Sequence, residues 1–286
     1  MSVSVPSVWP VAGNPAHLQR RGRYLPESTA HPGKMLPELA RRAISAYTDP
    51  GDLVVDPLCG IGTTLVEAAH LGRRAIGVEL EPRWAKLATR NARLAERQGA
   101  AGGELLVRRG DARELGESLL GDVVGDVALI LTSPPYGPST HGQVRLAPGG
   151  VENFDVRYSH NPENLAHLPP KRAARTRPAF GTALAEILAG CRSLLRPNGR
   201  LVITARPYRR DGALIDLPGE LVALAGSAGL KLEARHVALL CGLRADRLVP
   251  RASFFQMQKV RSGTFPRMLL IAHEDVLVFT PRRGRR

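Results

Sequence analysis

A doubly wound α/β fold, with a mostly parallel sheet of seven strands and an antiparallel pair at one edge, is what this sequence predicts. Three observations carry the prediction. Short apolar runs alternate with helical patterns. Three successive runs end at a carboxylate or just before one (Asp56, Glu79, Asp111). The last two runs, "KLEARHVALL" and "MLLIAHEDVLVF", follow one another with no helix between them. Strand–helix alternation calls for parallel strands joined by crossover helices, whereas two strands in direct succession pair antiparallel as a hairpin.

Each element can be justified in turn. Residues 1–24 lack periodicity and read as a flexible arm. Pro37 opens "PELARRAISAY", a helix with Leu39, Ala43, Ile44 and Tyr47 on one face. "LVVD" (53–56) is a short apolar run bounded by turn residues, as a strand buried on both faces should be. "TTLVEAAHLG" is a helix closed by Gly72, and "RAIGVEL" is the second strand. "PRWAKLATRNARLAERQG" is a long amphipathic helix from Pro82 to Gly99, followed by "LLVRRGDA" as the third strand and "DVALILT" (126–132) as the fourth. Residues 138–178 are rich in Gly, Pro, His, Asn and Arg and show no period, so they read as an insertion. "GTALAEILAGCRSLLRPNG" resumes as a helix, "RLVITAR" is the fifth strand, and "LPGELVALAGSAG" is the last helix. The expected organisation is an arm (1–24), one domain (25–280) with an insertion at 138–178, and a basic tail (281–286).

Composition narrows the function. The chain has 286 residues, enough for one large core, and no uncharged apolar run reaches the ~18 residues of a membrane span. The N-terminus has no apolar stretch followed by a small-residue cleavage site, so the expected compartment is the cytoplasm. Three cysteines, Cys59, Cys191 and Cys241, are too few and too scattered for a disulfide framework or a zinc site. The charge is informative: 40 Lys+Arg against 26 Asp+Glu leaves +14. From Lys171 to Arg210 ten basic residues face one acid, Glu186, and the tail "PRRGRR" adds four more. Such a surplus favours a polyanionic partner, bound through phosphates with counterion release.

"VVDPLCGIGTT" places Asp56 at a strand end, then Gly60 and Gly62, then Thr63 opening a helix. Glycines let backbone approach a ligand, and a helix start offers free N–H groups. No Gly-Lys-Ser/Thr follows, so this is not a nucleotide-triphosphate loop. Glu79 can accept both hydroxyls of a ribose, and Asp111 can accept the amine of an adenine. All three acids lie at the carboxyl edge of the sheet, where open α/β folds bind ligands. Each alone could be an ordinary helix N-cap, but that explains the three together poorly.

The run "LILTSPPYGP" (129–138) raises a separate question, because Pro134 and Pro135 cannot continue a ladder. The segment leaves its strand as a stiff hook with unpaired carbonyls and a tyrosine at its end. Together the glycine loop, Glu79, Asp111 and "TSPPY" resemble the S-adenosylmethionine-dependent amino-methyltransferases, particularly DNA enzymes that modify cytosine N4. The resemblance runs from about His31 to Phe279. It implies a Rossmann-like class I methyltransferase domain over 25–280 and S-adenosylmethionine as cofactor. It assigns Asp56, Gly60, Gly62, Glu79 and Asp111 to that cofactor, with Leu58, Thr63, Leu80, Ala112 and Thr132 beside them. "HPGKMLPELARRAI" is similar to the segment that contacts the methionine end, which adds His31 and Lys34. "HEDVLVF" is similar to the family's closing strand.

On that resemblance Ser133, Pro134, Pro135 and Tyr136 are the catalytic residues. An exocyclic amine is a poor nucleophile because its lone pair is delocalised into the ring. The Ser133 hydroxyl and the Pro134 carbonyl can accept its N–H bonds and pyramidalise the nitrogen, while Tyr136 stacks on the face of an extruded base. No covalent intermediate is needed, so Cys59 reads as a small loop residue. Serine ahead of the prolines is similar to the cytosine-N4 subgroup, whereas Asp or Asn there is more typical of adenine-N6 enzymes. Lys171, Arg172, Arg175 and Arg177 are the expected phosphate contacts, on a target-recognition insertion. DNA is the expected partner, with no metal and no membrane, and RNA is the alternative. "DPLCGIGTT" has Leu58 where the DNA enzymes usually have phenylalanine. It also resembles the transfer-RNA guanine-N2 methyltransferases, whose RNA-binding THUMP domain would not fit in the arm. The hook follows the cofactor loop, a circular permutation of the commoner order, which such folds tolerate. A third reading is a nucleic-acid-binding protein that has lost catalysis, against which the intact hook argues.

Overall fold

A computed structural model describes residues 6–100, 103–136, 143–147, 150–154, 159, 161–168, 179–210, 213–250 and 270–282, with backbone only at 117, 143–147, 150–154, 209 and 210. The strands in chain order are β1 (Val8–Trp9), β2 (Leu53–Asp56), β3 (Arg74–Glu79), β4 (Leu105–Arg109), β5 (Val127–Thr132), β6 (Gln143–Ala147), β7 (Gly150–Phe154) and β8 (Leu195–Ala205). They continue with β9 (Tyr208–Arg210), β10 (Ala213–Ile215), β11 (Leu230–Leu239), β12 (Cys241–Arg244), β13 (Arg247–Pro250) and β14 (His273–Pro281). The α-helices are α1 (Ala16–Arg20), α2 (Pro37–Tyr47), α3 (Thr63–His70), α4 (Pro82–Arg97), α5 (Phe180–Leu194) and α6 (Leu217–Ser227).

One sheet of eight strands organises the chain in the order β1-β11-β14-β8-β5-β2-β3-β4. β2, β3, β4, β5 and β8 run parallel, and β14 lies antiparallel between β8 and β11. β2 and β5 are buried along their whole length, which is why they read as unbroken apolar runs rather than alternating ones. On one face α5 and α6 pack Leu184, Ile187, Leu188 and Leu221 against Ile130, Leu201 and Phe279. On the other, α2 and α3 pack Leu39, Ile44 and Leu65 against Val54, Leu129 and Val276. This is the doubly wound arrangement that the alternation predicts.

Three details differ from expectation. The sheet has eight strands rather than seven, because β1 adds itself parallel to β11 with Val8 opposite Val237. The β11–β14 pair forms as predicted, but β1 holds the edge and residues 240–272 separate the two strands, so it is no tight hairpin. The insertion carries a strand pair, β6–β7, that its composition concealed.

The flexible-arm expectation is corrected for residues 6–24, which are packed. Trp9 is fully buried, its indole Nε1 donates to the Pro6 carbonyl at 2.8 Å, and its ring stacks on His236 at 4.6 Å. Further along, Tyr24 Oη donates to Glu67 Oε1 at 2.6 Å and Arg23 pairs with Glu67 Oε2 at 2.7 Å. Glu67 is fully buried on α3, and a buried carboxylate must be paired. The arm supplies that pairing. A segment tied down by isolated anchors need not show a period, which is why the pattern missed it. Trp9→Ala should destabilise the protein by about 3–5 kcal/mol, read as a lower urea midpoint at unchanged slope.

Candidate active site at the carboxyl edge of the sheet

The glycine loop between β2 and α3 is shaped by left-handed backbone. Gly60 has φ +53° and Gly62 φ +80°, and a Cβ on Gly60 would lie 3.0 Å from the His31 ring. Asp56 organises the turn: Oδ1 accepts from the Leu58 N–H at 3.1 Å and Oδ2 from Thr64 Oγ1 at 2.6 Å. Burial pushes the Asp56 carboxyl up to about 6. Glu79, at the end of β3, holds the loop from the side. One of its oxygens accepts from the Gly60 N–H at 2.8 Å and the other from the Glu81 N–H at 2.9 Å. Each oxygen keeps a lone pair for a further donor. Burial raises Glu79 to about 7, its two backbone donors pulling the other way.

Among the described residues, a narrow and a wide cavity open at this edge. The narrow one, about 40 Å³, is lined by Leu58, Glu79, Leu80, Asp111, Ala112 and Arg113 on one side and by Pro135, Glu163, Asn164 and Leu165 on the other. The wide one, about 510 Å³, is lined by Ser133, Pro134, Pro135 and Tyr136 together with Lys34, Arg206, Leu240 and Glu274. Pro135 belongs to both, so the hook is the wall between them. Tyr136 is held flat, stacked on Tyr208 at 6.0 Å and 16°, with the Arg206 guanidinium 5.7 Å from its ring centre. Burial raises its phenol well above the usual range.

The structure therefore brings Leu58, Glu79, Leu80, Asp111 and Ala112 into one pocket and the four hook residues into the next. Asp56, Gly60, Gly62, Thr63 and Thr132 line neither cavity; they form the loop and strand end beneath them. His31 is buried behind Gly60, edge-on to Trp84, and desolvation lowers its imidazole to about 3, so it is neutral. Lys34 donates to the carbonyls of His31 and Thr29, and burial lowers it to about 8. Cys59 is buried, and burial raises its thiol well above the ordinary value, consistent with an inert loop residue. Lys171, Arg172, Arg175 and Arg177 lie outside the described residues.

Several residues escaped the sequence reading. Arg113 clasps both oxygens of Asp111, with Nε at 3.1 and 3.0 Å, and reaches Glu163 at 3.0 Å. Glu81 is buried and anchors the insertion, accepting from Ser159 Oγ, from the Asn161 N–H at 3.2 Å and from Asn164 Nδ2 at 3.3 Å. A signal was present: in "HNPENL" Asn161 and Asn164 each accept from the N–H two residues on, the short-range bonding that such residues favour.

Residues 3–90 match the DNA methylase family. That stretch holds the glycine loop and Glu79; Asp111 and the hook lie beyond it. A tRNA (guanine(10)-N2)-dimethyltransferase of Methanocaldococcus jannaschii is 39% identical over 111 residues, covering 38% of this chain and 31% of that protein. The type II methyltransferase M2.DpnII of Streptococcus pneumoniae is 45% identical over 58 residues, 20% of this chain and 22% of that one. The DNA adenine methyltransferase YhdJ of Escherichia coli is 33% identical over 90 residues, 32% of this chain and 31% of that one. The matched stretches thus span less than a third of each relative's length. Among solved structures, TrmN from Thermus thermophilus superimposes with a TM-score of 0.50 at 19% identity, covering 92% of this chain and 53% of TrmN. The fold is thereby that of the class I methyltransferases, and fold and family match together imply S-adenosylmethionine as cofactor.

The residues present fit that group. Glu79 and Asp111 offer acceptors to a ribose and an adenine amine, Leu58, Leu80 and Ala112 give apolar walls, and Gly60 leaves the backbone bare. The pocket is narrowed by Arg113, which shares the Asp111 carboxylate. Asp111→Ala should weaken S-adenosylhomocysteine binding by roughly 10- to 150-fold, measured by calorimetry, as loss of a charge-assisted hydrogen bond.

Glu79 also makes a prediction about stability. Its ordinary value is 4.5 and its folded value about 7, so between these the folded protein holds a proton that the unfolded chain has released. The stabilisation is complete below the lower value and is lost as pH rises through the upper one. Glu79 should therefore contribute a fall of about 1–3 kcal/mol in unfolding free energy between about pH 5 and pH 8, read as the difference between the pH profiles of wild type and Glu79→Gln.

Proposed function

We propose that the protein transfers a methyl group from S-adenosylmethionine to an exocyclic amine of a nucleobase, cytosine N4 in DNA. The observation that carries the reading is the position of the hook. Ser133–Tyr136 stands between the narrow pocket, whose Glu79 and Asp111 carboxylates offer acceptors to a nucleoside, and a cavity wide enough for a base, and Pro135 lines both. An acceptor pair standing on that wall is where an amine and a methyl donor would meet.

The cofactor, when bound, supplies an electrophilic methyl on a sulfonium. The chain's task is to aim the amine at it. Ser133 Oγ and the Pro134 carbonyl accept the two N–H bonds, which turns the nitrogen lone pair out of the ring plane. Consecutive prolines hold both acceptors still, and orientation of this kind supplies much of the rate. Tyr136, stacked on Tyr208, offers a plate for the base at the cavity wall. A base in a duplex reaches such a plate only after being turned out of the stack. The surplus of +14 supports a nucleic-acid partner, with Lys171, Arg172, Arg175 and Arg177 as the phosphate contacts. Serine in the hook supports cytosine over adenine. The second reading is an RNA base, guanine N2 included, and the tRNA dimethyltransferase relative is what favours it.

Methyl-labelled cofactor incubated with total DNA or total RNA, followed by digestion to nucleosides, tests the reading. Label in N4-methylcytosine from DNA is expected; label confined to RNA would transfer the function to the second reading. Tyr136→Ala should lower methyl transfer by roughly 5- to 150-fold, the range for losing one base–aromatic stack, with S-adenosylhomocysteine affinity unchanged.

A further inference from the structure

A two-stranded hairpin, separate from the main sheet, is rooted at the wide cavity. β12 and β13 pair antiparallel, with Cys241 opposite Pro250, Gly242 opposite Val249, Leu243 opposite Leu248 and Arg244 opposite Arg247. Leu240, just before β12, and Pro250, at the end of β13, both line the cavity that Ser133–Tyr136 line. The root is anchored: Cys241 and Gly242 are buried, and the Leu240 N–H donates to the Ala272 carbonyl at 2.8 Å. The far end is open to solvent, with Leu243 59% and Leu248 55% exposed.

A lone exposed leucine needs no explanation, but this pair does. Residues directly opposite in an antiparallel ladder share a face, so the two leucines form one apolar edge. Among the described residues no other two exposed large hydrophobics face each other in a ladder. The next pair has the opposite oddity. Arg244 and Arg247 set like charges across from one another, an arrangement that costs stability, offset in part by Asp246 at 4.0 Å from Arg247. From Arg244 to Arg267 the chain carries six Lys and Arg residues and one acid, Asp246. An apolar edge beside paired arginines is complementary to a nucleic-acid duplex, whose apolar base stack lies between rows of phosphates. The hairpin's place adds the task. Leu248 is two residues from Pro250, about 7 Å along a strand. A base turned out of a duplex into the cavity leaves a gap in the stack beside that entrance. Leucine is among the side chains that proteins insert between base steps, and filling the gap offsets the cost of unstacking.

We propose that Leu243 and Leu248 are a wedge that enters the DNA stack beside the target base and keeps that base out in the hook's cavity, with Arg244 and Arg247 on the flanking phosphates. The inference rests on the reading above, methylation of a base amine in DNA. The leucines touch the duplex and not the reacting amine. Their work is to favour the extruded state, while the amine's acceptors remain Ser133 and Pro134. A wedge is therefore needed where the base starts in a duplex, and hardly at all where the strand is already single.

Native and heat-denatured total DNA, with methyl-labelled cofactor, test the proposal in wild type and three double variants. S-adenosylhomocysteine calorimetry checks folding, and sedimentation checks oligomeric state. Leu243→Ala with Leu248→Ala should lower the native-to-denatured ratio of labelling rates by about 10- to 100-fold, the worth of two truncated leucines. Leu243→Met with Leu248→Met, which keeps an apolar edge, should restore most of that ratio. Arg244→Ala with Arg247→Ala should make the log–log salt dependence of duplex binding shallower by about two, whereas the alanine-for-leucine variant should leave that slope unchanged. Equal losses on native and denatured DNA, or no loss on either, would overturn the wedge. So would an arginine variant with the wild-type salt slope. A leucine variant that changes oligomeric state would make the hairpin an interface between copies of the chain, and would overturn it too. Wild-type label in denatured DNA alone would remove the wedge and leave the methylation reading standing. A wild type that binds S-adenosylhomocysteine yet labels neither form of DNA would bring down that reading and the wedge with it, an outcome distinct from failure of the variants alone.

Discussion

One buried carboxylate, Glu79, joins the parts of the structure on which everything else depends. Its two oxygens accept from the Gly60 and Glu81 N–H groups, so a single side chain fixes the glycine loop and the turn that leads into α4. Glu81 then carries the constraint onward, because its carboxylate anchors Ser159, Asn161 and Asn164 of the insertion. Loop, strand end and insertion are thus assembled around adjacent acids. A parallel sheet buried on both faces leaves its strand ends as the place where polar groups can gather, and here they gather three strands wide.

The second constraint comes from the hook. Strand β5 is buried along its whole length, and an ordinary continuation would bury the backbone groups of residues 133–136 as well. The prolines end the ladder and turn the chain into the space between two cavities. The stop frees a carbonyl from the ladder, and Tyr136, packed at the margin of the core, stacks on Tyr208 at a cavity wall.

What was legible in the sequence follows from the range of the forces involved. Strands β2 and β5 and helix α2 could be bounded to within a residue, because a fully apolar run or a helical stripe is a local pattern. Glu79, Asp111 and the hook were legible because they sit at strand ends, which periodicity locates. The packed arm was not, because Trp9 and Tyr24 act as single anchors against His236 and Glu67, residues hundreds or tens of positions away. The same holds for Arg113 with Glu163, a pair that only tertiary folding brings together. An aperiodic composition likewise hid the β6–β7 pair within the insertion.

Arg113 shows how these long-range pairs bear on binding. Its guanidinium pairs with Asp111 and Glu163 together, which spares two partly buried carboxylates from facing one another unpaired. An adenine amine that approaches Asp111 brings only a partial positive charge, so it cannot replace the guanidinium. To bind such an amine as well, Asp111 would have to share its acceptors, keeping Arg113 on one lone pair and offering another, which a carboxylate's roughly four lone-pair sites permit. Because Glu163 belongs to the segment that Glu81 anchors, the guanidinium fixes the distance between β4's end and the insertion. The width of the narrow pocket is then set by an ion pair rather than by apolar packing, and the insertion becomes one of its walls.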